Sequence, residues 1–198
     1  LVGQENRGLE YMFIMMNAAR YGVGLEGVAD GERAYQRAVT YARDRIQGTD
    51  IGVRGGGKVA IIHHPDVRRM LMSMRSQVEA TRALAYVVGA AHDAAVHHPA
   101  PEVKKQNQAF VDLMIPVVKG WSTEVGVDVA TTGVQVHGGM GFIEETGAAQ
   151  HLRDVRISTI YEGTTGIQAN DLIGRKIARE GGATIKAVIA MMRKLDAD

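Results

Sequence analysis

The sequence contains no cysteine. That removes disulfides, thiolate metal sites, iron–sulfur clusters and cysteine nucleophiles together, and it fits a reducing compartment such as the cytoplasm. An excess of charge of one sign is missing too. Lys and Arg number 23 against 22 Asp and Glu, so no net field draws in nucleic acid or an anionic membrane. The longest apolar runs, Leu113–Val118 and Ala187–Met192, fall far short of the roughly 20 residues that span a bilayer. No charged-then-apolar leader precedes the first periodic segment. The chain opens on Leu1 rather than methionine and reads as a piece of a longer protein. Its 198 residues, 45% of them hydrophobic and 23% charged, suit a globular fold of about one domain rather than a disordered segment.

Proline is scarce as well: only Pro65, Pro99, Pro101 and Pro116 interrupt the chain, and β-type alternation is hard to find. Long helical windows dominate instead. The first runs from about Arg7 to Arg45, with Leu9, Met12, Phe13 and Met16 at helical spacing. Gly22, Gly24 and Gly27 each weaken its middle by up to ~1 kcal/mol relative to Ala, which predicts a kink or break there. The stretch GTDIGVRGGG, residues 48–57, predicts a loop. Pro65 suits the first turn of a second helix, whose stripe is Val67, Leu71, Met74, Val78, Ala85 and Val88. Pro101 opens a third, whose apolar face is read as Phe110, Met114, Val117 and Trp121, with Pro116 bending it. Gly138, Gly139 and Gly141 end it. A short helix near 147–156 and a last one near 165–194, divisible at Gly181–Gly182, complete the chain. Long one-faced helices joined by short loops predict an all-α fold, an antiparallel up-down helical bundle spanning residues 1–198.

Most constellations that carry chemistry fail on spacing. A di-iron bundle needs Glu-x-x-His on two helices, and no Asp or Glu here has a histidine three residues on. His63–His64 and His97–His98 are adjacent pairs, and neighbours in a helix diverge by roughly 100°, so no metal site is expected. Gly138-Gly139-Met140-Gly141 would let a backbone approach a phosphate, but no strand precedes it, so the dinucleotide fingerprint fails its context and the stretch, read alone, is a helix stop. The sharpest signal is Ile160-Tyr161-Glu162-Gly163-Thr164-Thr165. It sets a carboxylate between an aromatic and a glycine, just before a helix start that Thr164 or Thr165 would cap. Glu162 is there either a general base or a support for the helix dipole.

These residues carry a resemblance. GLEYMFIMMNAAR at 8–20, YARDRIQG at 41–48, QVHGGMGF at 135–142 and IYEGTTGIQ at 160–168 together resemble the C-terminal helical domain of the acyl-CoA dehydrogenase family. The likeness covers nearly the whole chain. HHPDVRRMLM and VVKGWSTE are most similar to a bacterial branch that includes methylthiopropionyl-CoA dehydrogenases. The resemblance implies an FAD-dependent enzyme. Glu162 would remove the α-proton of an acyl-CoA, a β-hydride would pass to flavin N5, and a trans-2-enoyl-CoA would form. The Glu162 N–H would help polarise the thioester carbonyl. It also implies that Asn17, Arg20 and Gly163 face substrate, with a buried ion pair as the competing reading of Arg20. Arg45 would meet the flavin pyrophosphate, Gln135, Gly138 and Gly139 would reach the FAD of a neighbouring subunit, and Thr164, Thr165 and Gly166 would contact the nucleotide. Some members place the base just before the residue matching Arg20. That position is Ala19 here, which cannot titrate.

The chain departs from the family pattern at Gln47-Gly48, where an aromatic is usual, at Gly166, and in the GVRGGG insertion. These departures bear on individual flavin contacts rather than on the base. The N-terminal helical and middle β-domains of the family are not among these residues, so the fragment alone is expected to hold FAD weakly. The resemblance further implies electron-transfer flavoprotein or a similar acceptor as partner and a homodimer or homotetramer. The alternatives are an acyl-CoA oxidase and a non-catalytic helical interaction module.

Overall fold

The computed structural model describes residues 3–178 and 181–195. Three long helices dominate it: α1 (Gly8–Asp44), α2 (Pro65–His97) and α3 (Pro101–His137). Shorter pieces follow: α4 (Gly139–Phe142), α5 (Ala148–Arg156), α6 (Thr165–Asn170) and α7 (Ala183–Leu195). The fold is all-α, as the periodicity predicts. Pro65 and Pro101 occupy first helical positions, where a missing N–H costs nothing. Between α2 and α3 the Ala100 N–H donates to His98 Nδ1 at 3.1 Å. The division of the last helix at Gly181–Gly182 is also present, both glycines having positive φ.

Contacts gather the described residues into two compact units. One holds those of 1–25, 83–121 and 159–198. Its core is Ala85, Val88 and Ala91 from α2 with Val111, Ile115 and Val118 from α3, and Tyr21 and Leu25 pack against it. The other holds 26–82 and 122–158. Its core joins Ala34, Ala38 and Ala42 of α1, Leu71, Met74 and Val78 of α2, Val125 and Val129 of α3, and Val155 of α5. Each fully buried Val or Leu contributes about 1.5–3 kcal/mol. The α2 stripe read from the sequence is thus the buried one in both units.

Four expectations are corrected. The helix α1 does not break at its glycines. A Cβ on Gly24 would lie 2.7 Å from Val118 Cγ1, and one on Gly27 would lie 2.5 Å from the Ser122 carbonyl oxygen. These glycines let α3 approach closely rather than interrupting α1. On α3 the buried face is Val111, Ile115, Val118, Ser122, Val125 and Val129, whereas Trp121 is 42% exposed. Phe110, Met114, Val117 and Trp121 share the same spacing one residue out of phase. The predicted loop 48–57 lies within an antiparallel hairpin of β1 (Ile46–Thr49) and β2 (Lys58–Ala60), paired Ile46 to Ala60 and Thr49 to Lys58 with an irregularity between. Finally, the glycines after α3 do not only stop it, because Gly139 and Gly141 lie within α4.

Candidate active site

The segment before α6 is the most unusual backbone in the first unit. Glu162 has φ 55°, one of two non-glycine residues among those described with positive φ, and Gly163 follows at 92°. A non-glycine residue in the left-handed region costs energy unless its surroundings hold it there. Here they do. Arg20 Nε donates to the Glu162 carbonyl at 3.2 Å, and Gln168 Nε2 donates to the same oxygen at 3.3 Å and to the Gly163 carbonyl at 3.0 Å. Lys119 Nζ donates to the Gly163 carbonyl at 2.6 Å. Thr164 caps α6, its hydroxyl accepting from the Ile167 N–H at 3.3 Å. Glu162 is half-buried, and its carboxylate has no hydrogen-bond or ion-pair partner among the described residues. The main chain at this position is fixed while the acid group is left available.

Arg20 is 4% exposed and its Nη1 lies 3.0 Å from Asp171 Oδ2, both side chains being almost fully buried. Asp171 also faces Arg175 at 3.6 Å. The geometry matches the ion-pair reading of Arg20, with the guanidinium acting on the Glu162 backbone. Asn17, half-buried one turn earlier, lines two openings. One, of about 260 Å³, also includes Glu10, Phe13, Asp171 and Arg175, with the Arg175 guanidinium stacked 5.0 Å over the Phe13 ring. The other, of about 760 Å³, includes Tyr21, His92, Asp93 and Gln108. The larger has the size of a small-molecule site. Glu162 lines neither.

The residues expected on the cofactor side are divided between the units. Arg45, Gln135, Gly138 and Gly139 lie in the second, Thr164, Thr165 and Gly166 in the first. Arg45 follows α1 directly, and its carbonyl accepts from the Ile61 N–H at 2.8 Å, so the β-hairpin pins it. Its guanidinium is exposed, with only long contacts of 3.3 and 3.4 Å to Gln47. Gln135, Gly138 and Gly139 are exposed, and a Cβ on either glycine would meet nothing within 4 Å. Gly138 needs to be glycine for its φ of 61°. A guanidinium, an amide and open glycine backbone are each a donor type that suits a pyrophosphate-bearing cofactor. Thr164 and Gly166 are exposed and Thr165 half-buried.

Another opening, in the second unit and of about 660 Å³, is lined by Arg33, Arg37, Tyr41, Asp44, His137 and His151 among others. His137 stacks on Tyr41 with ring centroids 4.2 Å apart, and its Nδ1 is 2.7 Å from the Gly133 carbonyl. Arg37 donates to the Thr146 carbonyl and, through Nε at 3.2 Å, to His151 Nε2. Burial, with Arg37 and Arg33 beside it, holds the His151 imidazole below its ordinary pKa. Burial does the same at His137, with Arg37 adding to it against the hydrogen bond to Gly133. Among the described residues no group of three or more His, Asp and Glu is gathered as for a metal ion, and no helix is long and apolar enough to cross a membrane.

Sequence reasoning missed Lys119, Gln168 and Asp171. Each is a polar residue on a buried helix face, at 0%, 2% and 5% exposure. For Lys119 the signal was its place directly after the run Leu113–Val118; for Gln168 and Asp171 it was their spacing of three.

Comparison with known proteins bears on this arrangement. Over 192 residues, 97% of the chain and 32% of the relative, the sequence is 56% identical to the 3-methylmercaptopropionyl-CoA dehydrogenase of Ruegeria pomeroyi. It is 37% identical, over 98% of the chain and 32% of the relative, to the broad-specificity linear acyl-CoA dehydrogenase FadE5 of Mycobacterium tuberculosis. Among solved structures, the butyryl-CoA dehydrogenase of Megasphaera elsdenii superposes with a TM-score of 0.69 at 27% identity, covering 87% of this chain and 39% of that one. The chain therefore spans about a third of the length of the curated relatives it matches. Residues 6–177 match the model of the acyl-CoA dehydrogenase C-terminal domain, and the chain belongs to the acyl-CoA dehydrogenase family.

Proposed function

We propose that this chain is the C-terminal helical domain of an acyl-CoA dehydrogenase and carries its general base, Glu162. The observation that carries the reading is the geometry at residue 162: a left-handed backbone held through its carbonyls, bearing a carboxylate that none of the described residues engages. A carboxylate so placed removes the α-proton of an acyl-CoA thioester, giving a trans-2-enoyl-CoA once the β-hydride has left. Bound FAD would supply the acceptor for that hydride.

The remaining residues divide the binding. Arg45 meets the flavin pyrophosphate, and Gln135, Gly138 and Gly139 reach the FAD of a neighbouring subunit, which requires at least a dimer. Thr164, Thr165 and Gly166 contact the nucleotide, and Asn17 and Gly163 face substrate. Arg20 works from behind, on the Glu162 backbone. N-terminal helical and β-domains elsewhere in the parent protein complete the site, and an electron-transfer flavoprotein or a similar acceptor receives the electrons. A cysteine-free chain suits a cytoplasmic enzyme. The likeness to the Ruegeria pomeroyi protein makes a short acyl-CoA with a β-thioether, 3-methylmercaptopropionyl-CoA, the first substrate to try.

The test uses the parent protein under anaerobic conditions, following flavin absorbance while acyl-CoAs are added. Bleaching is expected in the wild type, with a loss of about 10²–10⁴-fold in rate for Glu162→Gln. Equal bleaching in both would move the base elsewhere. Absence of bound flavin would favour a helical module without redox chemistry.

A further inference from the structure

The cage around the Glu162–Gly163 backbone contains a group that the reaction itself does not call for. Lys119 lies mid-way along α3 and is fully buried. Burying an ammonium is costly and calls for specific partners, and one of them here is the backbone beside the candidate base. Its Nζ is 2.6 Å from the Gly163 carbonyl, the shortest of the four hydrogen bonds that hold the dipeptide. It is also charge-assisted, a class roughly twice as strong as neutral hydrogen bonds. The Gly163 carbonyl already accepts from Gln168 at 3.0 Å. Lys119 is therefore not needed merely to satisfy that oxygen.

The Gly163 carbonyl lies in the peptide plane that follows its positive φ, as the Glu162 carbonyl lies in the plane before it, so the two carbonyls together set that turn. Fixing those oxygens fixes the turn on which the Glu162 side chain stands. Gln168 meets the same demand at a cost, since its Oε1 is buried with no partner among the described residues. Three donors from three helical elements thus converge on two successive carbonyls, at the only non-glycine positive φ beyond residue 6 among the described residues.

We propose that Lys119 is a positioning residue for the base: anchored on the Gly163 carbonyl, it keeps Glu162 in the left-handed conformation on which the placement of its carboxylate depends. The inference rests on the reading of Glu162 as the base. In this role Lys119 touches no reacting atom and acts through the Gly163 carbonyl.

The test compares Lys119→Met, Lys119→Arg and Glu162→Gln in the full-length holoenzyme. Methionine keeps the apolar stem and removes the donor while Gln168 still satisfies Gly163. The Met variant is expected to melt close to wild type and to bind acyl-CoA with a Kd within about threefold, while flavin reduction falls about 10–100-fold, as displacement of a reacting group by an ångström does. Its crystal structure should show Glu162 out of the left-handed region. Arginine, which keeps a charged donor, should recover most of the rate. If Lys119→Met does not fold, Lys119→Gln, whose amide is too short to reach, is judged by the same rate and backbone measurements. Wild-type reduction and an unmoved Glu162 φ in the donor-less variant, with Glu162→Gln inactive, would overturn the role of Lys119 alone. Wild-type reduction in Glu162→Gln would overturn the base and this role with it.

Discussion

Glu162 and Asp171 show how differently two carboxylates are used within ten residues of sequence. The Glu162 carboxylate has no partner among the described residues, whereas Asp171 is buried and committed to Arg20. Removing one member of a buried pair costs about 3–5 kcal/mol, because the other charge stays behind unpaired. Asp171→Asn should therefore lower the melting temperature of the protein by roughly ten degrees. The double variant Arg20→Met with Asp171→Leu should lose less than the sum of the single changes; calorimetry showing simple additivity would contradict the pairing. Histidine supplies the pH dependence at this scale. Burial and Arg37 hold His151 below its ordinary value, and burial holds His137 there too. Between that lowered value and the unfolded one of about 6.5, the unfolded chain binds more protons. Stability is then full above the unfolded value and is lost as pH falls through this window. Melting temperatures measured from neutral pH downward should decline, and His151→Gln should flatten the decline. An unchanged slope would mean that His151 is not the group responsible.

Helices were legible where one face does one job. The α2 stripe follows from spacing alone because α2 buries a single continuous row, from Leu71 through Val88. The α3 row was misread by one position because Leu113, Val118, Lys119 and Ser122 are all buried. A helix enclosed on several sides carries apolar residues at more than one phase. The hairpin was hidden for the opposite reason. Every residue of β1 is exposed, so no alternation marks it, and its register rests on the Ile61 N–H bond to the Arg45 carbonyl and on His64 Nε2 against the Gln47 carbonyl at 2.7 Å. The glycines of α1 were visible but their purpose was not, since a sequence does not say what faces them. Gly27 gives the clearest test. Its Cβ would stand 2.5–2.8 Å from three backbone atoms of Ser122 and Thr123, which no rotamer change relieves. Gly27→Ala should destabilise by about 1–3 kcal/mol despite the better helix propensity of alanine. Gly22→Ala, where nothing lies within 4 Å, should stabilise by about 0.4–1 kcal/mol. Chemical denaturation of the two variants gives both signs, and a stabilised Gly27→Ala would refute the close approach.

At the scale of the whole molecule, the candidate base was legible because IYEGTT is a local motif, while two of the groups that hold it, Arg20 and Lys119, stand 142 and 43 positions away in sequence. The same dispersion bears on the cofactor. Expected flavin contacts fall in both units, and each is exposed or half-buried, whereas a site that binds tightly encloses roughly 70–90% of its ligand. Each unit also leaves large apolar groups in water, Phe142 at 83% exposure directly after the Gly138–Gly141 segment in one and Leu9, Ile14 and Met15 at 62–72% on the first turns of α1 in the other. Contiguous exposed apolar surface marks a place where other protein packs. The 198 residues expressed alone should consequently fold as helices but retain no stoichiometric FAD on dialysis, and they should self-associate with rising concentration. The parent protein should keep its flavin under the same dialysis. Circular dichroism, flavin absorbance after dialysis and sedimentation measure the three properties separately. A fragment that is helical and monomeric, with one tightly held flavin, would show that these residues enclose the cofactor without help, and the division of the site between this chain and the rest of the enzyme would have to be abandoned.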